Sequence, residues 1–300
     1  MLKLEPQFLR GSYPPLVTPF RNGGVDYGKF AELVERQAEE GSHGIVVTGT
    51  TGEPSSLTAD ERVRLVETAV KAASGRIPVV AATGSQSLAE TLEITAGAEK
   101  ARADALLIVT PYYIKPSQAG LVEYFAAIGA RTALPLMIYH IPGRASVSVT
   151  AATVERIAER VPSLVGMKQA ANDLELVTEV LSRMGREFRI FCGLESLSLP
   201  MLAVGGSGLM NAVGNLAPAR VAALYCEFAR GNWSEALNLH FELFELNRAI
   251  FLDTNPIPLK YMMHRLGLLD SPELRLPLVP IDAERAKILD NVLAAAKNGD

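Results

Sequence analysis

The stretch 162-PSLVGMKQAAND-173 sets one lysine at the end of an apolar run. Leu164 to Met167 has the unbroken apolar character of a strand buried on both faces, and Asn172-Asp173 has the chemistry of a helix start. Lys168 stands between them. A lysine at the edge of a core reaches solvent, pairs with an acid or gives up its proton. A solvated strand end is the ordinary solution, so the rest of the chain must decide whether it applies.

The same unit of short apolar strand, punctuated loop and amphipathic helix recurs along the sequence. Strands are predicted at Ser12–Thr18, Gly44–Thr48, Ile77–Ala82, Ala105–Val109, Leu134–Tyr139, Leu164–Lys168, Phe188–Cys192 and Gly208–Ala212. Helical patterns lie between them. VDYGKFAELVERQAEEG, from 25 to 41, brings Phe30, Leu33, Val34, Gln37 and Ala38 near one face. TADERVRLVETAVKAASG, from 58 to 75, opens on a capping box of Thr58 and Glu61. Eight strands alternating with about eight helices in roughly 220 residues predict a (β/α)8 TIM barrel, an α/β fold. An open doubly wound sheet is the rival, but the first strand leads into TPFRNGG rather than a GxGxxG turn. After Pro218 the strands stop and apolar helical patterns follow. We therefore expect a barrel over residues 1–223 and a small C-terminal helical addition over 224–300.

The 300 residues are 48% hydrophobic with formal net charge -4, a pI near 5.7 and mean hydropathy +0.17. Charges are dispersed, which argues against nucleic acid as a partner. The two cysteines and four histidines fall into no metal-binding spacing. MLKLEPQFLRGS lacks the apolar core of a signal peptide, and no apolar run approaches the roughly 20 residues that span a bilayer. The expectation is a cytoplasmic protein, without a membrane partner, acting on small molecules.

In such a barrel, function gathers at the C-terminal ends of the strands. Gly49 and Gly52 flank Thr50 and Thr51, a turn suited to holding a carboxylate with hydroxyls and N–H groups. Tyr112 and Tyr113 stand between Pro111 and Pro116, and Tyr139 ends a strand beside His140. A phenol near a lysine is a candidate proton carrier. Arg144 follows Pro142-Gly143, where a guanidinium can clamp a carboxylate. With these neighbours Lys168 reads differently. Burial and a nearby cation such as Arg144 both favour a neutral amine, which attacks a ketone to form a Schiff base. The iminium draws electrons from the adjacent carbon, and threonine and tyrosine hydroxyls supply a proton path.

GTTGE at 49–53, TPYYIKPSQAG at 110–120, YHIPGR at 139–144 and the strand-end Lys168 together resemble the dihydrodipicolinate synthase / N-acetylneuraminate lyase family of class I aldolases. The likeness runs from about residue 10 into the C-terminal helices and is stronger to the synthase branch, which NPIPLK at 255–260 also resembles. It implies that Lys168 forms the Schiff base with pyruvate and that no separate cofactor is used. By the same resemblance Thr50, Tyr139 and Tyr113 carry protons, with Tyr113 reaching across a dimer interface. Thr51 holds the pyruvate carboxylate and Arg144 the carboxylate of the second substrate, while Gly193 and Met210 line the site. The resemblance further implies a homotetramer built as a dimer of dimers.

Arg144 suits a carboxylated aldehyde, so the resemblance implies condensation of pyruvate with L-aspartate 4-semialdehyde on the route to lysine and diaminopimelate. A related pyruvate aldolase, or a 2-keto-3-deoxy-acid aldolase or dehydratase, is the alternative. Three departures from the synthase pattern bear on that choice. Gln169 to Asn172 replace the segment usual after the lysine, His140 replaces an asparagine, and Pro54-Ser55-Ser56 follow GTTGE. All three are expected near the mouth, where they would reshape the second-substrate pocket.

Overall fold

Eight parallel strands build one sheet in the computed structural model, which describes residues 2–298. They are β1 Gly11–Ser12, β2 Ile45–Val47, β3 Val79–Ala82, β4 Ala105–Val109, β5 Leu136–His140, β6 Leu164–Gln169, β7 Arg189–Cys192 and β8 Gly208–Leu209. Each strand from β2 to β8 pairs with the next, and β8 pairs back to β1. Closure between β1 and β2 rests on a bridge of Pro15 with Val46. There Leu16 N donates to Val46 O at 2.9 Å and Val46 N donates to Pro14 O at 3.0 Å. The result is the expected (β/α)8 barrel.

Two strands are shorter than their apolar runs. The run Ser12–Thr18 yields Gly11–Ser12 plus the bridge, because Pro14 and Pro15 have no N–H to extend a ladder. The run Gly208–Ala212 yields Gly208–Leu209, because Ala212–Asn215 winds into a 3-10 turn. The other strand limits differ from the sequence reading by two residues or fewer.

Strand alternation sorts side chains into two layers. Val46, Val80, Ala105, Leu107, Met137, Tyr139, Phe191 and Met210 fill the barrel. Ile45, Val47, Val79, Leu106, Ile108, Leu136, Ile138 and Ile190 pack outward against the helices. On helix Tyr27–Glu39 the buried face is Phe30, Leu33, Val34 and Gln37. Thr58 and Glu61 form the capping box of helix Ala59–Ala73. Asp173 caps helix Leu174–Met184 by accepting from Leu176 N at 2.9 Å. These caps satisfy donors that the first helical turn leaves open.

Helix Pro218–Ala229 follows β8, and residues 223 and 224 lie inside it. Helices Trp233–Glu242, Phe244–Ala249, Ile257–Arg265 and Ala283–Asn298 complete the addition. Among the described residues no helix is long and apolar enough to cross a membrane.

Candidate active site

A β-bulge aims Lys168 into the barrel. Leu136 of β5 pairs with Leu164 of β6, but Met137 pairs with Gly166, so Val165 is an extra residue. Leu164 packs outward, and strict alternation from it would turn Lys168 outward as well. The inserted residue reverses the phase. Met167 joins the outer layer, and Lys168 pairs with the inward-facing Tyr139. Gly166 permits the close packing, since a Cβ there would lie 2.3 Å from the Arg189 carbonyl oxygen.

Lys168 is 5% exposed, and its Nζ lies 4.6 Å from the centroid of the Tyr139 ring. It has no carboxylate or hydrogen-bond partner among the described residues. The Tyr139 hydroxyl stands 3.3 Å from Thr50 Oγ1. Gly193 follows β7, and a Cβ on it would meet Lys168 Cε at 2.6 Å. Met210, just past β8, packs into the inner layer with Tyr139. Thus Thr50, Tyr139, Lys168, Gly193 and Met210 come together from five strand ends.

Thr50–Gly52 forms a 3-10 turn between two non-glycine residues with left-handed backbones, Thr48 at φ 57° and Glu53 at φ 57°. Its first N–H groups, those of Thr50 and Thr51, have no partner within the turn. Thr51 Oγ1 accepts from Asn255 Nδ2 at 2.9 Å. The Asn255 carbonyl accepts from Arg144 Nη2 at 3.2 Å. Arg144 lies on the short helix Pro142–Ala145 and is exposed. A cavity of about 600 Å³ opens here, with Thr50, Glu53, Tyr139, Arg144 and Asn255 in its wall. Lys168 is not part of that wall; its Nζ lies over the ring of Tyr139, which is. Tyr113 is not brought in: it is 85% exposed, at φ 72°.

A sequence profile of the dihydrodipicolinate synthetase family matches residues 8–296. The chain belongs to that family. It is 47% identical over 277 residues to a 4-hydroxy-tetrahydrodipicolinate synthase of Thermus thermophilus, with 92% of each chain covered. Among solved structures it resembles the 4-hydroxy-tetrahydrodipicolinate synthase of the methanotroph Methylacidiphilum fumariolicum SolV, with TM-score 0.94, 38% identity and 96% of each chain covered. It also resembles a monomeric dihydrodipicolinate synthase variant, with TM-score 0.93 and 36% identity, covering 97% of this chain and 98% of that one.

Within this dihydrodipicolinate synthetase family member, the departures from the synthase pattern do not all face the mouth. Pro54, Ser55 and Ser56 line the cavity. His140 and Gln169 do not. They sit opposite each other on β5 and β6, one residue beyond Tyr139 and Lys168, and their side chains point to the outer layer. His140 Nδ1 and Gln169 Oε1 lie 2.5 Å apart, and Gln169 Nε2 donates to Asp173 O at 3.1 Å. Two of the substituted residues are therefore each other's hydrogen-bond partner, so they leave the pocket wall unchanged. Burial holds the His140 imidazole below its usual range.

Residue-by-residue reading of the strand ends missed four groups that complete the site. Asn255, Lys260 and Arg275 belong to the C-terminal addition, and Glu195 follows β7. Lys260 Nζ lies 2.7 Å from Glu53 Oε1, and both side chains are buried. Glu195 is fully buried close to Lys168, with Oε1 accepting from Ala212 N at 2.5 Å and Oε2 unpartnered. Burial pushes its carboxyl up to about 7. Asn255 and Lys260, the two polar residues of the NPIPLK stretch, were the visible signal. The buried acids gave none, because glutamate is common at loop starts.

Proposed function

We propose that Lys168 is the Schiff-base lysine through which this lyase condenses pyruvate with L-aspartate 4-semialdehyde, a step of lysine biosynthesis. The observation that carries the reading is the buried, unpaired Lys168 against Tyr139, whose hydroxyl stands 3.3 Å from Thr50. Its amine, held against Tyr139 and engaged by no carboxylate, is the nucleophile of the reaction. It attacks the C2 carbonyl of pyruvate, and loss of water gives the Schiff base. The iminium withdraws electrons from C3, and a methyl proton leaves to give the enamine. The enamine carbon attacks the aldehyde carbon of the second substrate, forming the C–C bond. The amino group of that substrate then displaces Lys168 at C2, which closes the ring as 4-hydroxy-tetrahydrodipicolinate and frees the lysine. The electron sink is the lysine imine, so the reaction requires no separate cofactor.

In this reading Tyr139 and Thr50 pass protons to and from the reacting centre. Thr51 and the open N–H groups of its turn hold the pyruvate carboxylate, and Arg144 receives the carboxylate of the aldehyde. Gly193 and Met210 flank the reacting centre, beside Lys168 and Tyr139. Tyr113 completes the relay from a second copy, which its 85% exposure supports. The active assembly we propose is a homotetramer, a dimer of dimers. The catalytic unit is the barrel over 1–223, with 224–300 as the addition. Free thiols at Cys192 and Cys226 suit a cytoplasmic location.

The test is incubation with pyruvate and borohydride, followed by intact and peptide masses, with aspartate semialdehyde consumption followed in parallel. A reduced pyruvate adduct on Lys168 together with consumption is the expected result. An adduct without consumption would move the second substrate to another aldehyde or keto acid. Absence of any adduct would end the reading.

A further inference from the structure

Lys260 lies outside the barrel, on helix Ile257–Arg265, yet its side chain is 0% exposed and its Nζ is 2.7 Å from Glu53 Oε1. Glu53 ends the Thr50–Gly52 turn, and its N–H donates to Thr50 O at 3.2 Å. Its other carboxylate oxygen accepts from Arg275 N at 3.4 Å. Both cations lie against the Phe20 ring, with Lys260 Nζ 4.2 Å and Arg275 Cζ 4.6 Å from its centroid. Five residues before Lys260, Asn255 ties Thr51 to the same segment.

A buried ion pair gives little net stability, because desolvating both charges offsets their attraction. Here burial pushes the Glu53 carboxyl up and the Lys260 amine down even though the two are paired. Meanwhile Glu53 holds a left-handed backbone, which a non-glycine residue keeps only where its surroundings fix it. The pair supplies that fixing. Its charges reach no solvent, its partner atoms come from residues 207 apart in sequence, and the backbone it anchors carries Thr50 and Thr51.

We infer that Lys260 is a positioning residue, acting through Glu53 to hold the Thr50–Thr51 turn against Tyr139 and the site of pyruvate binding. The inference rests on the reading of the site given above. It assigns the C-terminal addition a part in the chemistry: the addition braces the turn from outside, and Lys260 touches no substrate.

The experiment compares the native chain with the double variant Glu53→Gln/Lys260→Met, which removes both buried charges together. Hydrogen exchange is followed in peptides covering residues 48–57 and helix Tyr27–Glu39, and pyruvate trapping by borohydride is timed. Exchange in 48–57 is expected to quicken by at least about tenfold while the helix is unchanged. Trapping is expected to slow by roughly tenfold to a hundredfold, the loss that a displacement of about 1 Å at a reacting centre produces. Unchanged exchange in 48–57, or equal loosening of both segments, would overturn the positioning role. If the native chain takes up no pyruvate, the functional reading falls, and the exchange data still decide the role of Lys260. Should the double variant not fold, Glu53→Gln alone keeps an acceptor for Lys260, and the same exchange comparison applies.

Discussion

Gly193 leaves open the space that the Lys168 side chain occupies. A Cβ on Gly193 would lie 2.6 Å from Lys168 Cε and 2.9 Å from Ala170 Cβ. Gly193→Ala must therefore move the lysine, whose flexible stem can yield, and shift the Ala170 backbone slightly as well. The fold should survive and pyruvate trapping should slow by about tenfold or more, as expected for a displaced nucleophile. Timed borohydride trapping beside a thermal melt checks this. Native trapping rates in the variant would show that Lys168 does not work from this position.

Tyr139→Phe removes the hydroxyl that faces Thr50 but keeps the ring against Lys168. Loss of a proton carrier costs about a hundredfold to ten-thousandfold. Turnover should fall by that order while the fold is retained. Thr50→Val should lower turnover in the same direction, and the double variant should lose less than the product of the two, because they act as a unit. Steady-state kinetics on the three variants is the measurement, and strictly multiplicative losses would separate the two hydroxyls.

Tyr113 and Ile114 extend into solvent at 85% and 61% exposure. If Tyr113 serves a second copy, a Tyr113→Ala chain and a Lys168→Ala chain are each nearly inactive alone. Mixed and reassociated, they should regain up to about a quarter of native activity, since sites pairing two sound contributions form by chance. This follows from a composite interface. No regain in demonstrably mixed assemblies would confine the site to one chain.

Burial raises the Glu195 carboxyl from 4.5 to about 7, with Lys168 acting against the shift. The native protein therefore holds a proton that the unfolded chain releases between those values. Stability falls as pH rises through the window and stays lower above it, by on the order of 3 kcal/mol. His140 acts in the opposite sense: its depressed imidazole costs stability as pH falls below 6.5. The difference between native and Glu195→Gln stability isolates the glutamate. Denaturant unfolding from pH 4.5 to 8 should show Glu195→Gln gaining on the native chain as pH rises. A flat difference would place Glu195 in an ordinary carboxylate environment.

Much of the site was legible because its chemistry is written in short local segments. GTTGE, YHIPGR and the lysine at the end of an apolar run each declare a strand end, and period-2 and period-3.6 patterns order them into a barrel. His140 and Gln169 show the limit of that reading. Both looked like changes in the pocket, and inter-strand register instead makes them partners on the outer side.

By itself, then, the sequence determined the alternation of strands and helices, the order of the reactive side chains around the mouth, and the lysine on which they converge. Tertiary structure alone decided that the lysine points inward. An unbroken strand would have carried it out with Leu164, and the bulge at Val165 exists only in the pairing with β5. It also decided that Gly193 makes room for that lysine and that Lys260 meets Glu53. Periodicity records which face a residue shares with its near neighbours. Register and closure are set by contacts between segments far apart in the chain, and no local pattern records them.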